Sequence, residues 1–246
     1  MKQLIQSLAQ RLLGFDRYLY LFSRFKVRTL GRDRIEGDVL ALVEMMDDDA
    51  VVLDIGANIG IMTVHMARKV RRGHVHSFEP VPENFAVLER VVAHYGLTNV
   101  SCHRMALGDA EGTLEMVMPS HGKLRKQGLS HVVRGDEGER EEGTRYSVPQ
   151  HRLDDLDLLA GVEVRGIKID VENHEQFVFA GGRRLIQRCR PVVYTELGEG
   201  ENRASCVRFF EELGYTPAVL EGSSVVPCDP LGHPKHNFFM LPEPSR

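Results

Sequence analysis

The chain of 246 residues is 42% hydrophobic, enough to bury a substantial core, and α/β folds of this size are commonly one domain. Its formal charge of −4, from 31 Lys plus Arg against 35 Asp plus Glu, gives no global drive toward a polyanion, so no nucleic-acid partner is expected. Cys102, Cys189, Cys206 and Cys228 are widely spaced and form no CxxC pair, which points to neither a zinc site nor a disulfide framework.

Over residues 4–25 the apolar side chains Leu4, Ile5, Leu8, Leu12, Phe15, Leu19 and Phe22 recur at mostly three- and four-residue steps, which predicts a helix with one apolar face. Arg11, Arg17, Arg24, Lys26, Arg28, Arg32 and Arg34 make this leader basic. Such a helix packs over the body of the protein, pairs with a second copy in a homodimer, or lies on an anionic membrane surface; the first two are the simpler expectations. Gln3, Gln6 and Gln10 interrupt the apolar run, which argues against a signal-peptide core. No stretch approaches the roughly 18 apolar residues that span a bilayer, so a soluble cytoplasmic protein without membrane insertion is expected.

A second helix is predicted over residues 37–46, before the acidic turn Asp47-Asp48-Asp49. Val51-Val52-Leu53 then reads as a buried strand, 59–70 as a helix and 74–78 as the next strand. Residues 83–95 read as a helix burying Phe85, Leu88, Val91 and Val92, and 100–104 as a third strand. This alternation calls for a parallel sheet with right-handed crossovers. Residues 112–117 and 145–148 read as strands flanking a loop that carries Lys123, Arg125, Lys126 and an acidic run over 136–142, a solvated surface or, alternatively, a substrate lid. Further parallel strands are predicted at 164–169 and 191–196, with a helix over 177–187 between them. A helix over 205–213 and an antiparallel pair at 216–220 and 237–241 complete the chain.

The first strand runs into Asp54-Ile55-Gly56-Ala57-Asn58-Ile59-Gly60. Glycines here let the backbone turn tightly and approach a ligand, while the following helix offers its N-terminal amides. Dinucleotide folds need a glycine where Asn58 stands, and its side chain would crowd a pyrophosphate; this disfavours a nicotinamide-dependent oxidoreductase. Asp54 suits a ligand bearing an ammonium group, as the methionine part of S-adenosylmethionine does. Glu79, 25 residues further on at the end of the second strand, can accept both ribose hydroxyl hydrogens. Asp109, after the third strand, is a candidate for the adenine amino group.

Lys168-Ile169-Asp170-Val171-Glu172-Asn173-His174-Glu175 follows the fourth parallel strand, at the end of the sheet where α/β proteins bind ligands. A hydroxyl that attacks a sulfonium methyl group must lose its proton, so Asp170, Glu172 and His174 are candidate catalytic groups, with Glu196 facing them from the fifth strand. The carboxylates are also candidate ligands for Mg²⁺.

At these residues the sequence resembles the FkbM-type methyltransferase family. The likeness joins the Asp54 to Gly60 motif, Phe78-Glu79-Pro80 with Asn84, Leu153-Asp154-Asp155-Leu156, Lys168-Ile169-Asp170-Val171-Glu172 with Glu175, and Pro191 with Glu196, over residues 36–241. It implies a class I methyltransferase (Rossmann-like) α/β fold, with a mostly parallel seven-stranded sheet flanked by helices. Residues 1–35 would form a helical extension and 36–246 the methyltransferase domain. It also implies S-adenosylmethionine as donor, O-methylation of a natural product, saccharide or glycolipid, and cofactor contacts at Asp54, Gly56, Asn58, Glu79 and Asp170, with Gly60, Pro80 and Asn84 of the same motifs as further candidate cofactor-binding residues. Asn173 departs from the family's glycine after the Asp-x-Glu element, which bears on the turn and on acceptor contacts. A nucleic-acid methyltransferase using the basic leader, and a non-catalytic binding module, are the competing readings.

Overall fold

The computed structural model describes residues 2–32, 36–121, 124–125, 127–133 and 142–244. Arg34, Lys123, Lys126, the acidic run over 136–141 and the side chains of Leu4 and Ile5 lie outside that description. β1 (Val51–Ile55) occupies the middle of the five parallel strands of the main sheet because it is β-branched and apolar on both faces: Val52, Leu53 and Ile55 are buried. It pairs in parallel with β2 (His74–Phe78) and β9 (Val164–Ile169). β3 (Val100–His103) extends the sheet beyond β2, and β10 (Val192–Glu196) beyond β9.

Next to β10 the chain switches to antiparallel pairing through β13 (Asn237–Pro242), which separates it from β11 (Tyr215–Glu221). The expected seven strands are all present, and the hairpin strand β12 (Ser224–Pro227) adds an eighth at the edge. Glu221 pairs with Ser224 across Gly222-Ser223, and Gly222 at φ +62° supplies the backbone such a two-residue turn requires.

The segment after β3 departs from expectation. β4 (Ala106–Gly108) leaves the main sheet to pair with β8 (Gly143–Arg152), which pairs antiparallel with β5 (Gly112–His121). β6 (Leu124–Arg125) and β7 (His131–Val132) add to β5, so the two short predicted strands are long members of a second sheet. Its apolar side, Ala106, Met116, Met118 and Val148, packs on Val81.

The leader forms two helices, α1 (Lys2–Leu13) and α2 (Phe15–Thr29), broken at Gly14 (φ +77°). Tyr18, Leu19 and Val27 of α2 bury against Ile59, Val64 of α4 (Ile61–Lys69) and Val87 and Val91 of α5 (Pro82–His94). Ser23 Oγ donates to the Ile59 carbonyl at 2.8 Å, so α2 sits directly on the turn after β1. The buried face of α5 is Asn84, Val87, Leu88 and Val91, with Phe85 and Val92 only half-buried. A rotation toward Asn84 accompanies the hydrogen bond its side-chain amide donates to Glu79, described below.

The helix predicted over 177–187 is split at Gly182 into α6 (Glu175–Gly181) and α7 (Arg183–Cys189), while α3 (Val39–Met45) and α8 (Glu201–Glu212) complete the layers. Asp154, from the Leu153-Asp154-Asp155-Leu156 motif, accepts the Arg184 and Leu185 amide hydrogens at 2.9 and 2.8 Å. Two of the orphan donors that open α7 are thereby satisfied, which gives the motif a structural task. Among the described residues no helix is long and apolar enough to cross a membrane.

Candidate active site

The turn after β1 is held on both sides by main chain. Gly56 and Ala57 donate to the Phe78 carbonyl at 3.0 and 2.9 Å, and Asp170 N–H donates to the Ile55 carbonyl at 3.1 Å. A Cβ on Gly56 would stand 1.9 Å from the Asp170 carbonyl oxygen, and its φ is +73°, so no other residue fits where β1 and β9 approach. Gly60 serves packing instead: a Cβ there would meet Leu88 Cδ1 at 2.8 Å, which sets how closely α4 and α5 approach.

Glu79 is buried at the end of β2. Its Oε2 accepts Asn58 N–H at 2.9 Å, and its Oε1 accepts Val81 N–H at 2.9 Å and Asn84 Nδ2 at 3.3 Å. Burial pushes its carboxyl up to about 7, against the pull of those three donors. Glu79 thus ties the motif turn to the start of α5. It also lines a slot of about 60 Å³ with Gly56, Asn58, Pro80 and Asn84, whose apolar walls include Ile55, Phe78, Met105 and Leu107. Asn58 Oδ1 and Asn84 Oδ1 are buried and have no hydrogen-bond partner among the described residues. Both residues line the slot, so a polar ligand that widens it would meet two acceptors in need of donors.

Asp54 lies deeper than expected. Its carboxylate is fully buried and absent from the slot wall; Oδ2 accepts Thr63 Oγ1 at 2.6 Å, and Oδ1 lies 3.6 Å from Lys168 Nζ. Lys168 also donates to the Gly56 carbonyl at 2.9 Å and stands 3.9 Å from Asp170 Oδ2. The pair Asp54–Lys168 therefore braces the glycine turn from below, where the sequence suggests contact with a ligand's ammonium group directly or through water. Asp109 is also displaced: because β4 turns away into the second sheet, Asp109 is exposed between β4 and β5 and lines neither cavity.

After β9 the chain takes two successive left-handed residues, Glu172 (φ +52°) and Asn173 (φ +66°). Glu175 holds this turn, its carboxylate accepting Val171 N–H at 3.0 Å and Asn202 Nδ2 at 2.7 Å. Asparagine tolerates the left-handed region better than other residues with a Cβ, so the departure at Asn173 preserves the turn. Asn173→Gly is expected to leave stability within about 0.5 kcal/mol, whereas Asn173→Ala should lose roughly 1 kcal/mol and lower the melting temperature by a few degrees in a thermal scan.

Asp170, Glu172 and His174 are gathered at the slot, and Asp170 and Glu172 also border a second cleft of about 780 Å³. His174 is buried at the head of α6, stacked on Phe177 with ring centroids 5.0 Å apart. Glu196 lies across the second cleft. Glu172 is pushed up to about 8, chiefly by burial and then by repulsion from Asp170, Glu196 and Glu175, with Lys168 opposing. Among the described residues no group of three or more His, Cys, Asp or Glu side chains is arranged to hold a metal ion, so the Mg²⁺ expectation gains no support.

Several walls of the two cavities carry no local signal in the sequence. Gly128 borders both cavities, Ser130 and Val132 the slot, and Leu129 the cleft. This wall is anchored at Arg125, whose Nη2 donates to Glu83 Oε1 and Tyr146 Oη, each at 2.7 Å, and whose guanidinium lies over the Phe15 ring. Phe22 and Lys26 of α2 form another side of the cleft, and Pro234, Lys235 and His236 a third. Arg203, buried in α8, shapes that third side by donating to the main-chain carbonyls of Leu197, Pro230, His233 and Lys235 at 2.8 to 3.2 Å.

Residues 54–217 match the methyltransferase FkbM domain model. The chain is 26% identical over 146 residues to methyltransferase 1 of Beauveria bassiana, covering 54% of this chain and 59% of that protein. It is 29% identical over 178 residues to the 2-O-methyltransferase NoeI of Sinorhizobium fredii, covering 68% and 70% of the two chains. The crystal structure of methyltransferase FkbM from Methylobacillus flagellatus superposes with a TM-score of 0.50 at 15% identity, over 79% of this chain and 44% of that one, which shows a shared fold. The domain match begins at the first residue of the glycine turn and runs through the Asp170-Val171-Glu172 loop to the antiparallel strands; this chain belongs to the FkbM methyltransferase family.

Proposed function

We propose that the protein transfers a methyl group from S-adenosylmethionine to a hydroxyl oxygen of a small-molecule, saccharide or glycolipid acceptor. The observation that carries this reading is Glu172 at the junction of slot and cleft, bordering both. A donor on one side and an acceptor on the other meet at that side chain. The slot suits a nucleoside with an amino-acid tail: Glu79 for the ribose hydroxyls, apolar walls for the base, and the acceptors of Asn58 and Asn84 for N–H or O–H groups. At about 60 Å³ it is below the roughly 300–1,000 Å³ of small-molecule sites, so the slot must widen to admit one.

Bound S-adenosylmethionine supplies a sulfonium methyl group open to displacement. Glu172, with a proton affinity raised into the neutral-to-alkaline range, takes the hydrogen of the acceptor hydroxyl. Asp170 and Glu196 keep it basic, and His174 is a second base on the slot side. The second cleft mixes charged, amide and aromatic groups (Lys26, Lys235, Asn237, Tyr194), a lining that suits a polyhydroxylated molecule. The name of the relative NoeI, a 2-O-methyltransferase, supports oxygen as the methylated atom.

Calorimetric titration with S-adenosylhomocysteine is expected to give one site per chain, and the same ligand, unlike NADH, should raise the melting temperature. With fractionated cell extract and labelled donor, the label should enter an alkali-stable ether. A folded protein that binds no S-adenosylhomocysteine, or that labels only alkali-labile esters, would contradict the proposal.

A further inference from the structure

Helices α1 and α2 carry five of the eight large hydrophobic side chains exposed among the described residues: Leu8, Leu12, Leu13, Leu21 and Phe25. Leu12 and Phe25 are 73% and 60% exposed. Leu21 and Phe25 stand one turn apart on α2, and the exposed Arg17 and Arg28 fall on the same face; on α1, exposed Arg11 adjoins Leu8 and Leu12. The opposite face of α2 is the one buried on the body, so this stripe points outward. Residues 2–32 hold seven lysines and arginines against one acid, Asp16, in a chain whose overall charge is −4.

A second copy fits this face poorly. Two-fold pairing would set the same basic patch against itself, with a single acid per leader to offset the lysines and arginines of both copies. An anionic lipid surface supplies phosphates to the arginines and an acyl boundary to the leucines and phenylalanine, and no spanning helix is needed. Phe22 and Lys26, on the adjoining flank of α2, line the second cleft.

We infer that α1 and α2 dock the protein on an anionic membrane surface and thereby hold the second cleft at the lipid interface, where it takes an amphiphilic, lipid-linked acceptor. Only the last clause rests on the acceptor reading of that cleft. The docking itself is tested by sedimenting the full chain with phosphatidylcholine vesicles and with vesicles containing about 30% phosphatidylserine. The chain should partition onto the second kind alone, and roughly 0.5 M salt should weaken that partition. Leu21→Gln/Phe25→Gln and Arg17→Gln/Arg28→Gln should each reduce partition by about tenfold or more, with unchanged melting temperature and unchanged S-adenosylhomocysteine affinity.

No partition of the unaltered chain onto phosphatidylserine vesicles overturns the docking. So does a concentration-dependent dimer that Leu21→Gln/Phe25→Gln dissolves, since the face then belongs to a second copy. Vesicle binding by a chain that binds no S-adenosylhomocysteine upholds the docking and removes the donor reading. The reverse pair of results removes the docking and leaves the donor reading standing.

Discussion

Glu172→Gln is expected to lower kcat by roughly 10²- to 10⁴-fold, the range associated with loss of a positioned base, while leaving S-adenosylhomocysteine affinity nearly unchanged. The unaltered protein should gain activity with unit slope as pH rises toward about 8, where Glu172 releases its proton, and the variant should lack that limb. Stability moves the other way. Its carboxyl is raised in the folded state above the ordinary value of 4.5, so its stabilising contribution is fully present below about 4.5 and is lost as pH rises through about 8. Glutamine has no charge to lose. At pH 8.5 the variant should therefore melt higher, by an amount worth roughly 1–2 kcal/mol after screening at this half-buried position. A variant that loses activity by misfolding would melt lower at every pH, so paired melting and rate profiles separate the two causes. An unchanged kcat would remove Glu172 from the chemistry.

Glu79→Ala should weaken S-adenosylhomocysteine binding by at least about 100-fold, because two hydrogen bonds to a buried carboxylate are lost at roughly 1.5–3 kcal/mol each. The fold suffers as well: Asn58 N–H, Val81 N–H and the Asn84 amide would all lose their acceptor, and the turn and the head of α5 would part. Glu79→Gln keeps one carbonyl oxygen for those donors and should recover part of the stability with little of the affinity. In the unaltered protein affinity should fall as pH drops below about 7, where Glu79 takes up a proton and can no longer accept from both hydroxyls. Calorimetry at pH 6 and pH 8 on all three proteins checks this; an affinity indifferent to both substitution and pH would place the nucleoside elsewhere.

The parallel core was legible because its signals are local. A β-branched strand, a glycine turn and an amphipathic helix announce themselves within about twenty residues, and β2 and β9 have the expected limits. The orientation of Asp54 was not legible: β1 is buried on both faces, so no alternation tells which layer its carboxylate enters, and its partner Lys168 lies more than a hundred residues away. The second sheet escaped for the same reason, since β4 is completed by β8 across roughly forty residues. Hydrophobic period gives single helices for the leader and the 177–187 segment, because it survives a one-residue break at Gly14 or Gly182. Asp170, Glu172 and Glu196 could be placed at one end of the sheet from strand limits alone, whereas Phe22, Lys26 and Lys235 reach the cleft only through tertiary packing.

The grip of Arg203 on the loop after β12 has a consequence for how such a site can diversify. The guanidinium holds main-chain oxygens at residues 230, 233 and 235, and the one side chain of this wall that it touches is His236, whose Nδ1 lies 3.2 Å from its Nη2. The path of that wall is thus set largely through main chain, with side chains contributing at Lys235 and His236. Position 234 can be rewritten toward a larger, smaller or differently charged acceptor while the loop keeps its course, provided Arg203 and the side chains of Lys235 and His236 that tie the loop down are kept.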